Sequence, residues 1–341
     1  MKLAYKTYNL KFKYPFGISK GTKTHQPSLV VCLEHLGHVG WGEAPAISYY
    51  NITVEKMVED LERKKKFVEG FALTDPERYW HYLHHLYPVN PFLVCALDMA
   101  GWDLYGKMRG KPLKELWNVE QPLNPETDYT IGIDTIEKMV EKMQEKPWPI
   151  YKIKLGTDRD IEIVEALRKH TDAVFRIDAN AAWKADEALE KINVFKNLGV
   201  EFIEQPLAKD DWGGMKFLYD KSPLPLIADE SCVHEHDVDK CHNHFHGINI
   251  KLTKCSGITP AMRMIKRARE LNMKLMLGSM NESTIGSAAI AHLMPQVDYV
   301  DVDGPLLLEE DIATGLDYDN GKVFTSDKAG LGIRFTELFT K

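Results

Sequence analysis

The chain has 341 residues, 44% hydrophobic and 27% charged, with 23 glycines, 17 prolines and a formal net charge of −7. These values belong to soluble globular proteins and exclude a disordered or fibrous chain, and the negative balance argues against nonspecific nucleic-acid or anionic-membrane partners. At this length one large barrel-type domain with a smaller companion is expected.

The N-terminus carries Lys2, Lys6, Lys11 and Lys13 between short apolar runs, with no stretch of signal-peptide length, and no later segment is uncharged for long enough to span a bilayer. A cytoplasmic protein is expected. Cys32, Cys95, Cys232, Cys241 and Cys255 form an odd, scattered set without a Cys-x-x-Cys pair, which suits reduced thiols.

In chain order, residues 1 to about 50 read as antiparallel strands: Leu29–Leu33 is a buried apolar run, and Gly37 and Gly40 supply the turn into Val39–Trp41. From Thr53 the pattern turns helical, with Val54, Met57, Val58 and Leu61 on one face behind the cap candidates Asn51 and Thr53. Pro76 starts a second helix, and a third runs from about Phe92 to Met108, stopped by Gly110 and Pro112. This block reads as an α+β module of roughly 115 residues.

After Pro122 and Pro125 short apolar strands end near Ile133, Lys154, Asp178, Glu204, Asp229, Lys251, Gly278 and Asp301, with amphipathic stretches between them. The spacing of about 21 to 27 residues is that of one βα unit, and eight in succession specify a closed parallel barrel. The sequence after Asp303 has little helical periodicity and is expected to form an irregular tail returning to the N-terminal module.

Active sites of such barrels collect at the C-terminal ends of the strands. Asp178, Glu204 and Asp229 end three consecutive strands and deliver three carboxylates to one rim. Such a cluster needs a cation, because like carboxylates raise one another's pKa. Mg²⁺ suits these hard oxygen ligands and leaves positions for substrate. Lysines flank the cluster: alternation puts Lys152 and Lys154 on the same face of strand two, and Lys251 ends strand six. A substrate on the metal would meet an amine from each side. Lysine is a poor base at its free pKa, but a nearby cation lowers it, which gives Lys152 and the metal a role beside Lys154.

On Lys152-Ile153-Lys154, Asp178-Ala179-Asn180, Glu204-Gln205-Pro206, Asp229-Glu230-Ser231, Lys251 and the segment Ala96–Leu104 followed by Gly106-Lys107, the chain resembles the muconate-lactonising subgroup of the enolase superfamily. The resemblance implies an N-terminal α+β capping domain (1–115), a modified TIM barrel of the (β/α)7β kind (116–310), and a C-terminal segment (311–341) returning to the cap. It also implies one Mg²⁺ per subunit on Asp178, Glu204 and Asp229, with Lys154 and Lys251 as the two acid/base lysines and Lys152 beside them; a lysine base with Mg²⁺ is a known pattern for such sites. A homo-oligomer is compatible with this reading.

Asp301-Val302-Asp303 at the eighth strand resembles the Asp-x-Asp of the subgroup's dipeptide epimerases, which implies a seat for a substrate α-ammonium; Asp303-Gly304-Pro305 is also good turn chemistry. Phe16–Lys23 resembles the family's substrate-covering loop, with Gly17 and Gly21 as hinge candidates. Lys20 stands where an arginine meets the distal carboxylate of Ala-Glu substrates, with Lys23 close by, although both also read as solvated loop charges.

The resemblance thus implies an isomerase, a dipeptide epimerase acting by 1,1-proton transfer at the α-carbon of the C-terminal residue, with L-Ala-D/L-Glu or another Xaa-Glu dipeptide as substrate. N-acylamino-acid racemase, o-succinylbenzoate synthase or cycloisomerase activity is the alternative within the subgroup. A noncatalytic metal-binding protein is the remote one, suggested only by the tract Cys232, His234, His236, Cys241, His242, His244 and His246. That tract matches no zinc spacing and is required between strands five and six.

Overall fold

Strands β1 (Lys2–Ile18), β2 (Gly21–His35) and β3 (His38–Pro45) form an antiparallel sheet in sequence order. In this computed structural model residues 1–118 and 122–335 are described. β1 and β2 pair from Lys2↔Glu34 to Ile18↔Gly21, with a register break between Lys11 and Phe16. Three helices follow. Thr53 caps α1 (Val54–Glu69) by accepting from the Lys56 amide, and Asp75 caps α2 (Pro76–Leu86), whose first position is the proline. α3 (Pro91–Arg109) ends at Gly110, whose φ of 67° needs no Cβ. α3 is buried on nearly every side because β3 lies against one face and barrel helices against another. The sheet approaches so closely that a Cβ on Gly42 would lie 1.9 Å from the Ala96 carbonyl oxygen.

Past the short helix α4 (Leu113–Leu116) the chain enters the barrel. Its strands are β4 (Tyr129–Ile131), β5 (Ile150–Lys154), β6 (Val174–Asp178), β7 (Val200–Glu204), β8 (Leu226–Ala228), β9 (Gly247–Ile250), β10 (Lys274–Leu277) and β11 (Tyr299–Val300), each parallel to its neighbours and in sequence order. Thr127 pairs in parallel with Val300, joining the approach to β4 to β11. Helices α5 (Ile136–Glu145), α6 (Asp160–Arg168), α7 (Ala185–Phe195), α8 (Trp212–Lys221), α9 (Asp237–Cys241), α10 (Leu252–Cys255) with α11 (Ile258–Glu270), and α12 (Thr284–Leu293) fill the seven crossovers. This is the expected modified (β/α)7β barrel with an N-terminal α+β layer, and its strand ends lie within about two residues of the expected ones.

After the last strand come α13 (Gly304–Leu307) and two antiparallel pairs: β12 (Ala313–Thr314) with β15 (Arg334–Phe335), and β13 (Leu316–Asp319) with β14 (Lys322–Thr325). The tail is therefore less irregular than expected. Asn320-Gly321, at φ 45° and 87°, is the two-residue hairpin signal that periodicity alone passes over. The Phe335 ring stacks on Trp41 at 4.6 Å, and the Leu331 amide donates to Asp103 Oδ1 at 2.7 Å, so the tail touches both β3 and α3. Residues 336–341, the end of the expected C-terminal segment, lie outside the described residues.

Cap and barrel also meet through Glu43. Its buried carboxylate accepts from Ser28 Oγ on its own sheet and from the Ser283 amide, Ser283 Oγ and Gly286 amide at the start of α12. No helix among the described residues is long and apolar enough to cross a membrane.

Candidate active site

Parallel pairing places Lys154 opposite Asp178, and Asp178 opposite Glu204, at one end of the sheet. Asp229 follows β8 directly. One carboxylate oxygen from each of Asp178, Glu204 and Asp229 lies within 4.8 Å of the other two, and all three residues are buried. This is the group among the described residues that can hold a metal ion; the His/Cys tract supplies none and forms α9 and its flanking loops. Three hard oxygen donors converging in a buried site fit a magnesium-type ion and not a soft one.

Four lysines neutralise the carboxylates. Lys154 Nζ lies 2.6 Å from Asp178 Oδ2, and Lys251 Nζ lies 2.7 Å from Asp229 Oδ2. Lys152 Nζ reaches Glu204 Oε2 and Asp301 Oδ2, each at 2.8 Å, and Asp178 Oδ2 at 3.6 Å. Lys254 Nζ lies 2.5 Å from Asp229 Oδ1. The remaining oxygens are also directed: Asp178 Oδ1 accepts from the Asn180 amide at 2.9 Å, and Glu204 Oε1 from Asn249 Nδ2 at 2.8 Å.

The charges follow from these contacts. Burial works against the ionised form of Asp178, Asp229 and Asp301, but the lysines outweigh it, so all three carboxyls lie below the usual range, Asp301 at about 2. Glu204 is raised, first by burial and then by Asp178. Burial disfavours the ammonium of Lys152, yet Asp301, Glu204 and Asp178 hold it well above the ordinary lysine value; Lys251 is likewise raised, chiefly by Asp229.

Asp301 and Asp303 both follow β11, but in different surroundings. Asp301 lines the cavity above the acids and has a second oxygen, Oδ1, that is buried without a hydrogen-bond partner. Asp303 Oδ2 accepts from the Thr130 amide at 2.6 Å, while its Oδ1 is also unpartnered. Burial, then Asp301 and Asp128, raise the Asp303 carboxyl well above the usual range.

The cavity holds about 110 Å³ between the barrel groups Lys154, Lys251, Asp229 and Asp301 and the cap residues Ile18, Lys20, Lys23 and Tyr50. Its cap side is shared with an outer chamber of about 630 Å³. Lys20 Nζ lies 3.6 Å from Glu230 Oε1 and 3.9 Å from the centre of the Tyr49 ring. Lys23 donates to Gln26 Oε1; burial first, then the nearby Lys154 and Lys251, bring its ammonium down to about 8 against the pull of Glu282. Gly17 is explained by a close approach: a Cβ there would sit 2.3 Å from the Ile133 carbonyl oxygen, whose own amide donates to the Gly17 carbonyl.

Lys254 and Asn249 also belong to this site, outside the motifs that mark it in the sequence. Both were signalled. Asn249 on β9 is two residues before Lys251, which follows that strand, and Lys254 is one helical turn after it.

Residues 3–117 match the mandelate racemase/muconate lactonizing enzyme N-terminal domain, and residues 134–338 match the enolase C-terminal domain-like family. The chain is 54% identical over 333 residues to an L-Ala-D/L-amino acid epimerase of Flavobacterium johnsoniae, covering 98% of this chain and 99% of that one. Its structure is similar to that of the substrate-liganded L-Ala-D/L-Glu epimerase of Bacillus subtilis (TM-score 0.93, 29% identity, 99% and 100% of the two chains). It is also similar to a dipeptide epimerase of Enterococcus faecalis complexed with Mg and L-Leu-L-Tyr (TM-score 0.92, 30% identity, 97% and 98%).

Proposed function

The chain belongs to the mandelate racemase/muconate lactonizing enzyme family of the enolase superfamily, among its dipeptide epimerases, and on that premise we propose that it epimerises the C-terminal residue of L-Ala dipeptides, L-Ala-D/L-Glu included. The observation that carries this is the pair of buried lysines lining one cavity from β5 and β9, on either side of the three acid-bearing strands. Inversion at carbon needs a base on one face and an acid on the other, and this arrangement offers an amine to each.

In this reading Asp178, Glu204 and Asp229 would hold one Mg²⁺, which would supply positive charge for a substrate carboxylate. Lys154 and Lys251 remove and return that proton from opposite faces. Lys152 stays cationic between Glu204, Asp301 and Asp178, adding fixed positive charge where negative charge develops on the substrate. The free Oδ1 of Asp301 receives the α-ammonium, and Asp303, held by the Thr130 amide, supports that end. Lys20 and Lys23 stand on the cap side to meet an acidic C-terminal side chain, with Glu230 retaining part of the Lys20 charge. The apolar lining contributed by Ile18, Ile47 and Met280 also suits neutral side chains, in keeping with the broad substrate name of the Flavobacterium relative.

Incubation of L-Ala-L-Glu with the protein and Mg²⁺ in deuterated water tests the proposal. The D-Glu epimer should appear with deuterium at the α-carbon. Acceptance of N-acylamino acids in preference to dipeptides would transfer the assignment to a racemase.

A further inference from the structure

Lys254 has no part in the proton transfer proposed above, yet it is 1% exposed and its ammonium is saturated. Its three N–H groups are shared among four acceptors: Asp229 Oδ1 at 2.5 Å, the Asp229 carbonyl at 2.6 Å, the Cys232 carbonyl at 2.9 Å and the Asn249 carbonyl at 3.2 Å. These acceptors span the turn after β8 and the end of β9. Placement is local: Lys251 precedes the single turn α10, so Lys254, three residues later, lies alongside it and reaches the same carboxylate. Ser256 and Gly257, at φ 73° and 137°, end that turn where the Gly257 backbone packs on the Asp98 carboxylate.

Asp229 therefore has two cationic partners of different kinds. Lys251 Nζ holds Oδ2 and lines the substrate cavity; Lys254 Nζ holds Oδ1 and does not line it. A lysine that must reach an α-carbon has to give up its carboxylate, and a buried carboxylate that loses a charged donor loses compensation and orientation on that side even when a metal ion sits on the other. With Lys254 fixed behind Asp229, Oδ1 keeps its charged donor when Lys251 turns away from Oδ2.

We propose that Lys254 is a positioning residue, the permanent partner that keeps Asp229 oriented and compensated so that Lys251 is released to serve its face of the substrate. The proposal rests on the epimerase reading of this site. It assigns the two lysines of Lys251-x-x-Lys254 distinct duties, one mobile at the cavity and one locked behind it. The consequence is asymmetric. Without Lys254, Lys251 remains tied to Asp229, whereas Lys154, paired with Asp178, is untouched.

The test compares wild type, Lys254→Met and Lys254→Gln, the last retaining an amide donor without charge, after circular dichroism and melting curves show all three folded. Two quantities are read: α-deuterium uptake from each epimer of L-Ala-Glu separately, and Mn²⁺ affinity of metal-stripped protein by calorimetry. Partners that orient a ligating carboxylate contribute roughly ten- to a hundredfold to metal affinity or activity. Lys254→Met should lose uptake from the epimer that Lys251 serves about tenfold more than from the other, and should bind Mn²⁺ roughly tenfold more weakly, with Lys254→Gln between it and wild type. Equal loss from both epimers, or tighter Mn²⁺ binding through removal of a repelling charge, would overturn the assignment. If neither lysine variant folds, ¹⁵N-lysine NMR of the wild type gives the reading instead: dipeptide and metal should shift the Lys251 ammonium resonance and leave that of Lys254 in place, and a shift of both overturns the proposal equally. Absence of uptake in the wild type itself would instead refute the epimerase reading.

Discussion

Lys152 and Asp301 meet across the barrel, with Nζ 2.8 Å from Oδ2, and the same ammonium lies 2.8 Å from Glu204 Oε2. One cation thus ties the proposed ammonium seat to the acids proposed to hold the metal. Asp301→Asn should consequently damage both ends of the site, lowering kcat as well as raising KM, while N-acetylation of the dipeptide should act through substrate binding alone. Steady-state kinetics on L-Ala-L-Glu and its N-acetyl derivative separate the two; equal kcat/KM for both substrates would remove Asp301 from ammonium recognition.

The two faces are separable by isotope. Lys154→Ala and Lys251→Ala should each reduce epimerisation by at least about a hundredfold, the usual contribution of a positioned acid or base. Each variant should retain deuterium uptake from one epimer only, and the retained epimers should be opposite. Proton NMR of the α-position reads the result directly.

Metal removal should abolish turnover, and Mg²⁺ should restore it. Asp178→Asn should weaken Mn²⁺ binding as well, measurable by calorimetry without any substrate. Recovery with zinc alone would contradict the choice of hard oxygen ligands.

On the cap side, Lys20→Ala should lower the preference for Xaa-Glu over Xaa-Gln by roughly three- to thirtyfold, more than an exposed ion pair contributes and less than a fully dry one. Glu230, 3.6 Å from the Lys20 ammonium, takes part of its charge, so Glu230→Gln should shift the preference the other way. Competition between the two dipeptides in one reaction gives the ratio.

A pH dependence follows from His292. Its Nδ1 accepts from the Lys114 amide and its Nε2 faces the Leu331 carbonyl, an arrangement that fits the neutral ring with its proton on Nε2. Burial, with Lys114 nearby, brings its pKa down to about 4 despite the Leu331 contact. The unfolded chain therefore takes up this proton at higher pH than the folded one. The stabilisation is complete above about pH 6.5 and is lost as pH falls toward 4, by up to about 2–3 kcal/mol. Asp98 and Glu282, whose carboxyls burial raises to about 7, contribute the opposite slope over this range. The readout is accordingly the difference between wild type and His292→Gln in melting temperature from pH 7 to 4.5, which should narrow as pH falls.

Much of this was legible in the sequence because it depends on period and order. Acids at the ends of β6, β7 and after β8 must share a rim once the strands are parallel and sequential, and lysines at β5 and β9 must flank them. What periodicity does not carry is which oxygen each ammonium holds. The pairing of Lys152 with Asp301, and of both Lys251 and Lys254 with Asp229, depends on side-chain reach across a packed interior. The Asn320-Gly321 hairpin was encoded locally, but its strands of four residues are too short to stand out by alternation.

The carboxylate of Glu43 fastens the first sheet to the start of α12 across 240 positions of chain. Ribosomal synthesis makes the cap strands long before β11, so the chamber's two walls are separated in time as well as in sequence. A nascent chain carries Lys154 and Asp178 long before it owns Lys251 or Asp301. Under the proposed function, a growing chain would have no second acid/base lysine and no seat for a dipeptide until Lys251 and Asp301 had been added.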